Sequence, residues 1–353
     1  MQRLLMKGNE AIAEAAIRAG CRHFFGYPIT PQNEVCAYMS RRMPQVEGVF
    51  LQAESELAAI NMVLGASAAG ARAMTSSSSP GVALKTEGIS YIAGSDLPGL
   101  IVNIQRGGPG LGTIQPAQSD YNQATKAPGH GDLRLIVFAP STVQEMVDCV
   151  FEAFDLTEKY RMPGMLLCDG LLGQMTEPVI FPKVEAAPSE KPWALTGHGG
   201  KRPPNIVTSL NLDAELCQKA NLARFERYAE AEKTQAKAES FMTEDADIIV
   251  VAYGACSRIV RSAVITARAK GIKVGLLRPI TVWPFPAEQI VAASKNAGAL
   301  LAVEMSMGQM VHDVRTALEF KKPVHFLGRT GGVVPTPNDV LEQLESIDRG
   351  LKA

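Results

Sequence analysis

The amino-acid sequence predicts an α/β protein: a doubly wound, mostly parallel sheet followed by a second, smaller α/β domain. Three observations favour this class. Short apolar runs alternate with helical patterns, the runs are typical of strands buried on both faces, and a second alternating unit follows a break in the pattern. The chain has 353 residues, 46% hydrophobic and 20% charged, which suits two domains or one large one. The net charge of −1 indicates no basic surface for nucleic acid and no charged tail for a membrane.

Six strands and five helices are predicted in the first part of the chain. The strands are His23–Gly26, Val49–Gln52, Ala73–Thr75, Leu100–Ile104, Leu135–Phe138 and Met165–Leu167. The helices are Gln32–Arg42, Glu56–Ala69, Val82–Ile92, Gln118–Thr125 and Val143–Tyr160, and the first twenty residues are also expected to enter the domain as a helix. Ligands of such sheets bind beyond the carboxyl ends of the strands, so the loops that leave the strands are the candidate sites.

The domain boundaries are predicted from a change in composition. Residues 1–182 form the first domain, and proline- and glycine-rich turns between 178 and 204 lead into a linker that spans residues 183–244. This linker contains a long polar helix, Ala214–Ser240, expected to be a solvated arm that packs on a neighbour. Residues 245–353 form the smaller domain. Its predicted strands are Asp247–Ala252, Val274–Leu277 and Leu300–Val303, and its helices are Ser257–Lys270, Ala287–Ala293 and Met310–Leu318.

Composition argues against several kinds of site. The six cysteines include no Cys-x-x-Cys pair, so the chain is not expected to hold an iron–sulfur cluster of its own. The five histidines are scattered without zinc-ligand spacing, and no metal ligands are predicted. No apolar run reaches eighteen residues, and the N-terminal stretch is too acidic for a signal peptide. A cytoplasmic protein without membrane contact is therefore expected.

Two strand-end loops offer groups for an anionic or a proton-sharing ligand. After the first strand, Thr30 is placed as a helix N-cap and Pro31 as the first helical residue, at an end that attracts carboxylates and phosphates. On local evidence alone, a plain helix cap is the favoured explanation of Thr30. After the second strand, Glu54 or Glu56 stands at the head of a small-residue helix, where the helix dipole favours the charged carboxylate and burial opposes it. These residues alone leave open which glutamate is meant, and a surface carboxylate explains either one.

Two further loops follow the next strands. Thr75–Gly81 contains five hydroxyl residues and a glycine that suit a flat polar ligand, although an N-cap accounts for them about as well. In Gln105–Gly112, Arg106 stands beside glycines that permit close approach of a ligand, and its guanidinium matches a carboxylate or phosphate. The glycine spacing lacks the third glycine of a dinucleotide loop, so nicotinamide binding is not expected. The four loops together indicate a site for an anionic substrate beside a proton-sharing heterocycle.

Several of these motifs resemble the 2-oxoacid:ferredoxin oxidoreductases. The run Gly26-Tyr27-Pro28-Ile29-Thr30-Pro31 resembles the hallmark of the family's thiamine pyrimidine-binding domain. Glu56 and the small-residue helix after it look like the thiamine-activating glutamate and its helix, and this register selects Glu56 over Glu54. Gln105–Pro109 resembles the substrate-side arginine loop, and Leu277–Pro286 looks like the family's transketolase C-terminal-like domain. The resemblance spans nearly the whole chain.

The resemblance implies a cofactor, thiamine diphosphate, and a set of site residues. The residues implied around its pyrimidine are Tyr27, Pro28, Ile29, Glu56, Ser79 and Gly81. Glu56 would hydrogen-bond N1′ of the aminopyrimidine and so promote loss of the proton at thiazolium C2, while Thr30 and Arg106 would hold the substrate carboxylate. Oxidative decarboxylation with coenzyme A would then yield an acyl-coenzyme A, carbon dioxide and reduced ferredoxin.

One departure from the family's motifs bears on the assembly. The family's diphosphate-binding domain carries Gly-Asp-Gly and a later asparagine for magnesium, whereas this chain has only Gly131-Asp132 and Cys168-Asp169-Gly170. The magnesium and diphosphate half-site is therefore expected on a diphosphate-binding beta subunit. The iron–sulfur clusters are expected on a ferredoxin-like subunit, with a gamma subunit completing a hetero-oligomer that reduces ferredoxin.

The substrate and the broader class have alternatives. Ala53–Gly81 and the stretch from Gly110 to Tyr121 look most like the branched-chain members of the family, which act on 3-methyl-2-oxobutanoate. A 2-oxoglutarate:ferredoxin oxidoreductase subunit is the alternative within the family. A ferredoxin-independent thiamine transferase of transketolase type and a non-catalytic scaffold are the alternatives from other classes.

Overall fold

The computed structural model describes residues 3–183 and 190–352. The parts of the predicted domains and linker that fall on residues 1–2, 184–189 and 353 lie outside the described residues. The strands are β1 Leu4–Lys7, β2 His23–Gly26, β3 Val49–Gln52, β4 Ala73–Ser77, β5 Gly99–Gln105, β6 Ile136–Phe138, β7 Pro163–Asp169, β8 Thr176–Val179, β9 Ala238–Phe241, β10 Ile248–Val251, β11 Val274–Pro279, β12 Thr281–Trp283, β13 Ala299–Glu304 and β14 Val324–Gly328. The helices are α1 Gly8–Arg18, α2 Asn33–Arg42, α3 Glu56–Ala68, α4 Ser79–Ala83, α5 Thr86–Gly94, α6 Tyr121–Thr125, α7 Val143–Tyr160, α8 Gly170–Gln174, α9 Ala214–Gln235, α10 Gly254–Ala269, α11 Ala287–Ala293, α12 Met310–Ala317 and α13 Pro337–Lys352, with a 3₁₀ turn at Met43–Val46.

The larger sheet has seven strands in the order β12-β6-β7-β5-β4-β2-β3. All neighbours are parallel except β12, which runs antiparallel to β6. The central strands β5 and β7 are buried along their whole length, as expected for strands that carry helices on both faces. This arrangement confirms the predicted fold class.

The strand order places a crevice where the candidate loops leave the sheet. The chain passes from β2 to β3 on one side and then returns to β4 on the other side of β2. Such a reversal separates the two outgoing loops and is the usual ligand position in parallel sheets. The loops after β2, β3, β4 and β5 therefore meet at one edge, beyond the carboxyl ends of four parallel strands.

A second sheet of five strands, in the order β14-β13-β10-β11-β9, forms the core of the C-terminal half. Its neighbours are parallel except β9, which is antiparallel to β11. Strands β1 and β8 pair separately as a two-stranded sheet. The smaller α/β unit predicted from the sequence is thus present, with one strand and one helix, β14 and α13, that the sequence analysis did not place there. Strand β12 was also not predicted, and it belongs to the larger sheet.

Four predicted elements differ from the structure. The chain enters through β1 before its first helix, and the predicted helix Val82–Ile92 is two helices, α4 and α5, separated at Leu84 and Lys85. The predicted helix Gln118–Thr125 begins only at Tyr121, because Gln118 bonds to Met305 instead: its backbone N–H donates to the Met305 carbonyl, and its side-chain Oε1 accepts from the Met305 N–H. The predicted helix Ala214–Ser240 ends at Gln235, because the following residues pair with β11 as strand β9.

Helix α9 packs partly on its own chain. Arg224 is buried and its Nε donates to Asp96 Oδ1 over 2.9 Å, while its Nη2 donates to the Gly94 carbonyl over 3.0 Å. Tyr228, also buried, contacts Trp283 edge to face at 6.1 Å between ring centroids. The expectation that this helix is a solvated arm therefore holds for its exposed face and is wrong for the face that carries Arg224 and Tyr228.

Ion pairs from one buried arginine to two partly exposed glutamates join the two sheets. Arg278, at the end of β11, is 4% exposed and makes two hydrogen bonds to Glu145 of α7, at 2.6 and 3.0 Å. Its Nε also donates to Glu239 of β9 over 2.8 Å. The two parallel hydrogen bonds to Glu145 and the bond to Glu239 hold helix α7, which packs on the first sheet, against strands β9 and β11 of the second sheet.

We expect Arg278→Met to lower the free energy of unfolding by about 1.5–3 kcal/mol, because Glu145 loses two charge-assisted hydrogen bonds and Glu239 is left with Arg261. Urea denaturation followed by circular dichroism measures this loss. Arg261→Met is the matched control, since Arg261 also pairs with Glu239 but is 39% exposed, and we expect less than about 1 kcal/mol there. An equal effect of the two substitutions would contradict a special role for Arg278.

None of the described helices is long and apolar enough to cross a membrane. All six cysteines are free thiols, and five of them are buried. Within residues 3–183 and 190–352, no cluster of three or more His, Cys, Asp or Glu side chains has metal-binding geometry.

Candidate active site

Glu56 lies at the head of α3, beneath the crevice at the edge of the large sheet. Ser55 caps this helix, and its hydroxyl accepts a hydrogen bond from the Ala58 N–H over 3.2 Å. The cap turns the side chain of Glu56 inward, to 6% exposure, whereas Glu54 remains exposed. No hydrogen bond to the Glu56 carboxylate is formed by the part of the chain that the structure describes. A buried carboxylate in this state is available to a ligand.

Small and unpaired polar groups surround this carboxylate. A Cβ built on Gly81 would lie 2.5 Å from Glu56 Oε1 and 2.1 Å from Ser77 Oγ, so only glycine fits there. The buried hydroxyls of Ser77 and Ser78, at the carboxyl end of β4, have no hydrogen-bond partner among the described residues. Unsatisfied buried hydroxyls are uncommon and call for a partner. The groove beside Glu56 therefore presents a carboxylate and free hydroxyls to a ligand that can hydrogen-bond.

We expect Gly81→Ala to weaken ligand binding at this groove on the order of tenfold or more, because the methyl group displaces the Glu56 carboxylate. The affinity of the purified complex for thiamine diphosphate with magnesium, measured by calorimetry, checks this. Gly65→Ala on α3 is the matched control, since a Cβ there meets nothing within 4 Å. Equal affinities in the two variants would show that the Gly81 contact is unimportant.

Arg106 follows β5 and is 7% exposed. Its Nη1 donates to the Thr30 carbonyl over 2.9 Å and its Nη2 to the Leu111 carbonyl over 3.0 Å. Its Nε is buried without a partner among the described residues. The two carbonyls hold the plane of the guanidinium in place and leave one donor free, which suits an incoming anion.

Thr30 does not cap a helix. Helix α2 begins at Asn33 with Gln32 as its N-cap, so the expectation of Thr30 as N-cap and Pro31 as first helical residue is wrong. The Pro31 carbonyl instead accepts hydrogen bonds from the side chains of Asn9 (2.8 Å) and Gln174 (3.1 Å). The Thr30 hydroxyl accepts from Asn33 Nδ2 over 3.3 Å, while its carbonyl binds Arg106. Thr30 and Arg106 are therefore neighbours, as the resemblance implies, but through the backbone of Thr30.

The rest of the loop after β2 is largely exposed to solvent. Tyr27 is 37% exposed and Pro28 is exposed, while Ile29 is half-buried. Gln32, fully buried, holds the loop by donating to the Tyr27 carbonyl over 3.3 Å and accepting from Ser76 Oγ over 2.5 Å. The buried side chain of Gln32, which the sequence analysis did not single out, thus holds the loop in place.

Ser79 takes part in a network that supports Arg106. Its hydroxyl donates to Asp120 Oδ2 over 2.6 Å and accepts from the Arg106 N–H over 3.0 Å. Asn103 of β5 donates to the same Asp120 oxygen over 2.9 Å. Burial raises the pKa of Asp120, and the hydrogen bonds from Ser79 and Asn103 partly offset that rise. Ser79, implied as a cofactor contact, has its hydroxyl engaged within the chain, and its place here is to fix the Arg106 loop.

Lys85 is another residue that the sequence analysis missed. It is fully buried, and its Nζ donates to the backbone carbonyl of Glu56 over 3.3 Å. The signal was available: Lys85 falls three residues after Val82 and four before Ile89, on the apolar stripe of the predicted helix. A lysine on a buried helix face is unusual and indicates a specific partner.

Together these groups place a buried carboxylate, free hydroxyls and a fixed guanidinium at one sheet edge. The combination suits a ring with hydrogen-bonding nitrogens on the Glu56 side and a carboxylate on the Arg106 side. It does not suit a dinucleotide, because the loop after β5 lacks the glycine spacing and the acidic partner that such a ligand needs.

Comparison with known proteins agrees with this geometry. Residues 14–246 match the thiamine-diphosphate-binding domain family described as pyruvate flavodoxin/ferredoxin oxidoreductase, and residues 246–340 match pyruvate:ferredoxin oxidoreductase core domain II. The chain belongs to the 2-oxoacid:ferredoxin oxidoreductase family. It is 49% identical to ketoisovalerate oxidoreductase subunit VorB of Methanothermobacter thermautotrophicus, over 97% of each chain. It is 36% identical to 2-oxoglutarate synthase subunit KorA of the same organism, over 98% of each.

Two solved structures share the fold of this chain. The 2-oxoglutarate:ferredoxin oxidoreductase of Magnetococcus marinus, solved with 2-oxoglutarate, coenzyme A and succinyl-CoA bound, superposes with a TM-score of 0.88 at 29% identity. The match covers 98% of this chain and 65% of that chain. A split-gene transketolase matches over 97% of both chains with a TM-score of 0.63 at 15% identity, which shows a shared fold alone. The membership in the 2-oxoacid:ferredoxin oxidoreductase family thus rests on sequence and fold together.

Proposed function

We propose that this chain is the pyrimidine-binding subunit of a thiamine-diphosphate-dependent 2-oxoacid:ferredoxin oxidoreductase that acts on 3-methyl-2-oxobutanoate. The observation that carries the substrate is the difference in identity: 49% to VorB of Methanothermobacter thermautotrophicus against 36% to KorA of the same organism. Both comparisons cover nearly the whole of each chain, so the difference does not come from missing segments. The product is the corresponding branched acyl-coenzyme A, with carbon dioxide and reduced ferredoxin.

The Glu56 groove fits the aminopyrimidine of thiamine diphosphate. Its carboxylate is buried and, like the Ser77 hydroxyl, lies within 2.5 Å of the position that a Cβ on Gly81 would take. The Ser77 hydroxyl has no partner among the described residues. Gly81 keeps the groove open, since any Cβ there would meet the carboxylate. Tyr27, Pro28 and Ile29 lie on the loop after β2, which leaves the same edge of the sheet as the loop that carries Glu56. Glu56, Gly81 and these three residues are the contacts that we propose for the ring.

Glu56 then acts as the proton-sharing group. When bound, the cofactor supplies a nucleophilic carbon that attacks the 2-oxo carbon and an electron sink for decarboxylation. Glu56 holds a proton at N1′ of the pyrimidine, and burial keeps water from competing for it. The carboxylate must be able both to give and to take that proton, which is the general acid–base role of a positioned carboxyl group.

Arg106 and Thr30 bind the substrate carboxylate in this proposal. The Nε of Arg106 is the buried donor without a partner, and the Thr30 and Leu111 carbonyls prevent the guanidinium from rotating. The Thr30 hydroxyl lies on the same loop as that carbonyl. An oriented charge of this kind binds a carboxylate without the cost of ordering a long side chain on binding.

The remaining parts of the reaction need partner subunits. The chain lacks a Gly-Asp-Gly motif and clustered cysteines. A beta subunit would therefore supply magnesium and the diphosphate site, and a ferredoxin-like subunit the iron–sulfur clusters, with a gamma subunit in the same assembly. Ferredoxin and coenzyme A are the remaining reactants, and the cytoplasm is the proposed location.

The experiment is a viologen-dye reduction assay on the complex purified with its native partners, with coenzyme A and either 3-methyl-2-oxobutanoate or 2-oxoglutarate. A higher kcat/KM for the branched acid supports the proposal. Preference for 2-oxoglutarate would keep the family and overturn the substrate. Absence of coenzyme-A-dependent reduction with both acids, and also with pyruvate and an aryl 2-oxo acid, would favour a ferredoxin-independent transferase or a scaffold.

A further inference from the structure

A turn of the smaller α/β unit lies against the loop that carries Arg106. The turn follows β14, and its two central residues, Gly331 and Gly332, have positive φ angles of 66° and 94°. Such backbone suits glycine and is strained for other residues. A Cβ built on Gly107, the residue after Arg106, would lie 3.1 Å from the nitrogen of Gly332. The backbones of the turn and of the loop are therefore in close contact directly beside the guanidinium's own residue.

The Arg106 loop is closed by backbone hydrogen bonds. The Gly107 N–H donates to the Gln115 carbonyl over 3.0 Å, and the Thr113 N–H donates to the Gly107 carbonyl over 2.8 Å. Arg106 itself forms an isolated antiparallel bridge with Pro116. Because these bonds join the two ends of the loop, a displacement of Gln115 also displaces the residues that carry the guanidinium.

Gly332 contacts this loop where no side chain would fit. A Cβ built on Gly332 would lie 2.4 Å from the Cβ of Gln115 and 3.2 Å from the Cγ2 of Thr113. Rotation of the Gln115 side chain cannot relieve the first contact, because a Cβ moves only with its backbone. A Cβ built on Gly331 would instead meet nothing within 4 Å. The two glycines thus share a positive φ, and Gly332 is the one of the pair that lacks space for a side chain.

The turn is held on its far side by the smaller unit. Arg329, just before the turn, donates from its N–H to the Glu304 carbonyl over 3.3 Å and from its Nη2 to Asp339 Oδ1 over 2.8 Å. Glu304 ends the buried strand β13, and Asp339 lies in α13. The Arg106 loop, by contrast, is mostly exposed to solvent. A side chain at Gly332 should therefore move the loop more than the turn.

We infer that Gly332 is a positioning residue for Arg106: its lack of a side chain lets the smaller unit support the loop and hold the guanidinium where the substrate carboxylate binds. The inference rests on the proposed function for the identity of that ligand. The substrate site then depends on the smaller unit, although Glu56, Thr30 and Arg106 all belong to the larger one.

The test is steady-state kinetics of Gly332→Ala in the complex purified with its native partners. The assay uses coenzyme A, a viologen dye and 3-methyl-2-oxobutanoate, or 2-oxoglutarate if the complex prefers it. We expect KM for the 2-oxo acid to rise roughly 5- to 10-fold, because a displacement of about 1 Å disrupts an oriented contact. The rise should not exceed that of Arg106→Ala, since the guanidinium is moved and not removed. If the contact is equally strong in the bound substrate and in the transition state, kcat should change less than KM.

Two further variants separate this contact from backbone strain. Gly331→Ala places a side chain at positive φ without a clash, so we expect its KM to stay near that of the unsubstituted complex. Gly332→Ala combined with Gln115→Gly keeps the strain at residue 332 and removes the clashing Cβ. Compared with Gln115→Gly alone, the double variant should show little further rise in KM, as expected for two residues coupled by direct contact.

Hydrogen exchange measured by mass spectrometry gives a readout that needs no turnover. The amides of Gly107 and Thr113 bond within the loop, so they should exchange faster in Gly332→Ala than in Gly331→Ala. The affinity for thiamine diphosphate with magnesium should be equal in these two variants, because Glu56 lies on a different loop.

Equal KM in Gly332→Ala and Gly331→Ala, in an active complex, would overturn the inference and leave the proposed function in place. A rise in KM that Gln115→Gly fails to remove would also overturn it. Parallel losses of thermal stability, cofactor affinity and kcat in Gly332→Ala would do the same, because they indicate a role in packing alone. If the unsubstituted complex turns over no 2-oxo acid, the proposed function fails, and the inference fails with it.

Discussion

Glu56→Gln should reduce kcat of the purified complex roughly 10²- to 10⁴-fold, the range associated with loss of a general acid–base group. Glutamine keeps the shape of the side chain and fits the same groove, but it cannot give and take a proton at N1′. The dye-reduction assay with saturating 2-oxo acid and coenzyme A measures this loss. Affinity for thiamine diphosphate should fall much less than kcat.

The chain provides a matched control for this substitution two residues earlier. Glu54 is exposed on the same loop, so Glu54→Gln makes the same chemical change outside the groove. We expect it to retain near-normal turnover. Near-normal turnover in Glu56→Gln as well would refute the assignment of the proton-sharing group, and equal losses in both variants would point to an effect of charge at the surface of the loop.

Arg106→Ala should raise KM for the 2-oxo acid roughly 10- to 100-fold, because a charge-assisted hydrogen bond to a carboxylate contributes about 1.5–3 kcal/mol. If this contact is equally strong in the bound substrate and in the transition state, kcat should change less than KM. Steady-state kinetics at several concentrations of 3-methyl-2-oxobutanoate separate the two effects.

Loss of Arg106 also frees the Thr30 and Leu111 carbonyls, so loop disorder must be distinguished from loss of substrate binding. Affinity for thiamine diphosphate provides this distinction, because it should stay nearly constant if the loops keep their place. Arg41→Ala is the control, since Arg41 is 63% exposed on α2, where it makes a long ion pair of 3.9 Å with Glu10 and a cation–π contact of 5.8 Å with Tyr38. Unchanged KM in Arg106→Ala would favour a structural role for the loop.

The fold was largely predictable because parallel strands buried on both faces are continuous apolar runs, which the sequence displays directly. The elements missing from the prediction have individual causes. Strand β12 has only three residues, and its partner β6 lies more than 140 positions earlier in the chain. Strand β14 is a sheet edge in which only Leu327 is buried, so it lacks a continuous apolar run. Helix α13, by contrast, was missed although the sequence indicates it, because Val340, Leu344 and Ile347 form an apolar stripe with helical spacing.

The site was predictable in its loops and less so in its supporting contacts. Strand ends identified the four loops, because parallel strands carry their carboxyl ends to one edge. The contact between Ser79 and Asp120 joins residues 41 positions apart, and no local pattern indicates it. Thr30 was misplaced because a Thr-Pro pair before a helical pattern normally marks an N-cap, whereas here the Pro31 carbonyl binds side chains from two other elements.

Strand β12 has a consequence for how this chain is made. It leaves the second sheet after β11 and completes the large sheet by pairing with β6, and the Ala139 N–H donates to the Ile280 carbonyl beside it over 2.8 Å. In the first 280 residues alone, β6 lacks its neighbour β12 and becomes an edge strand of the sheet, opposite the edge strand β3. Open edges recruit other chains, so a fragment cut before Thr281 should aggregate even though six of its seven strands are present.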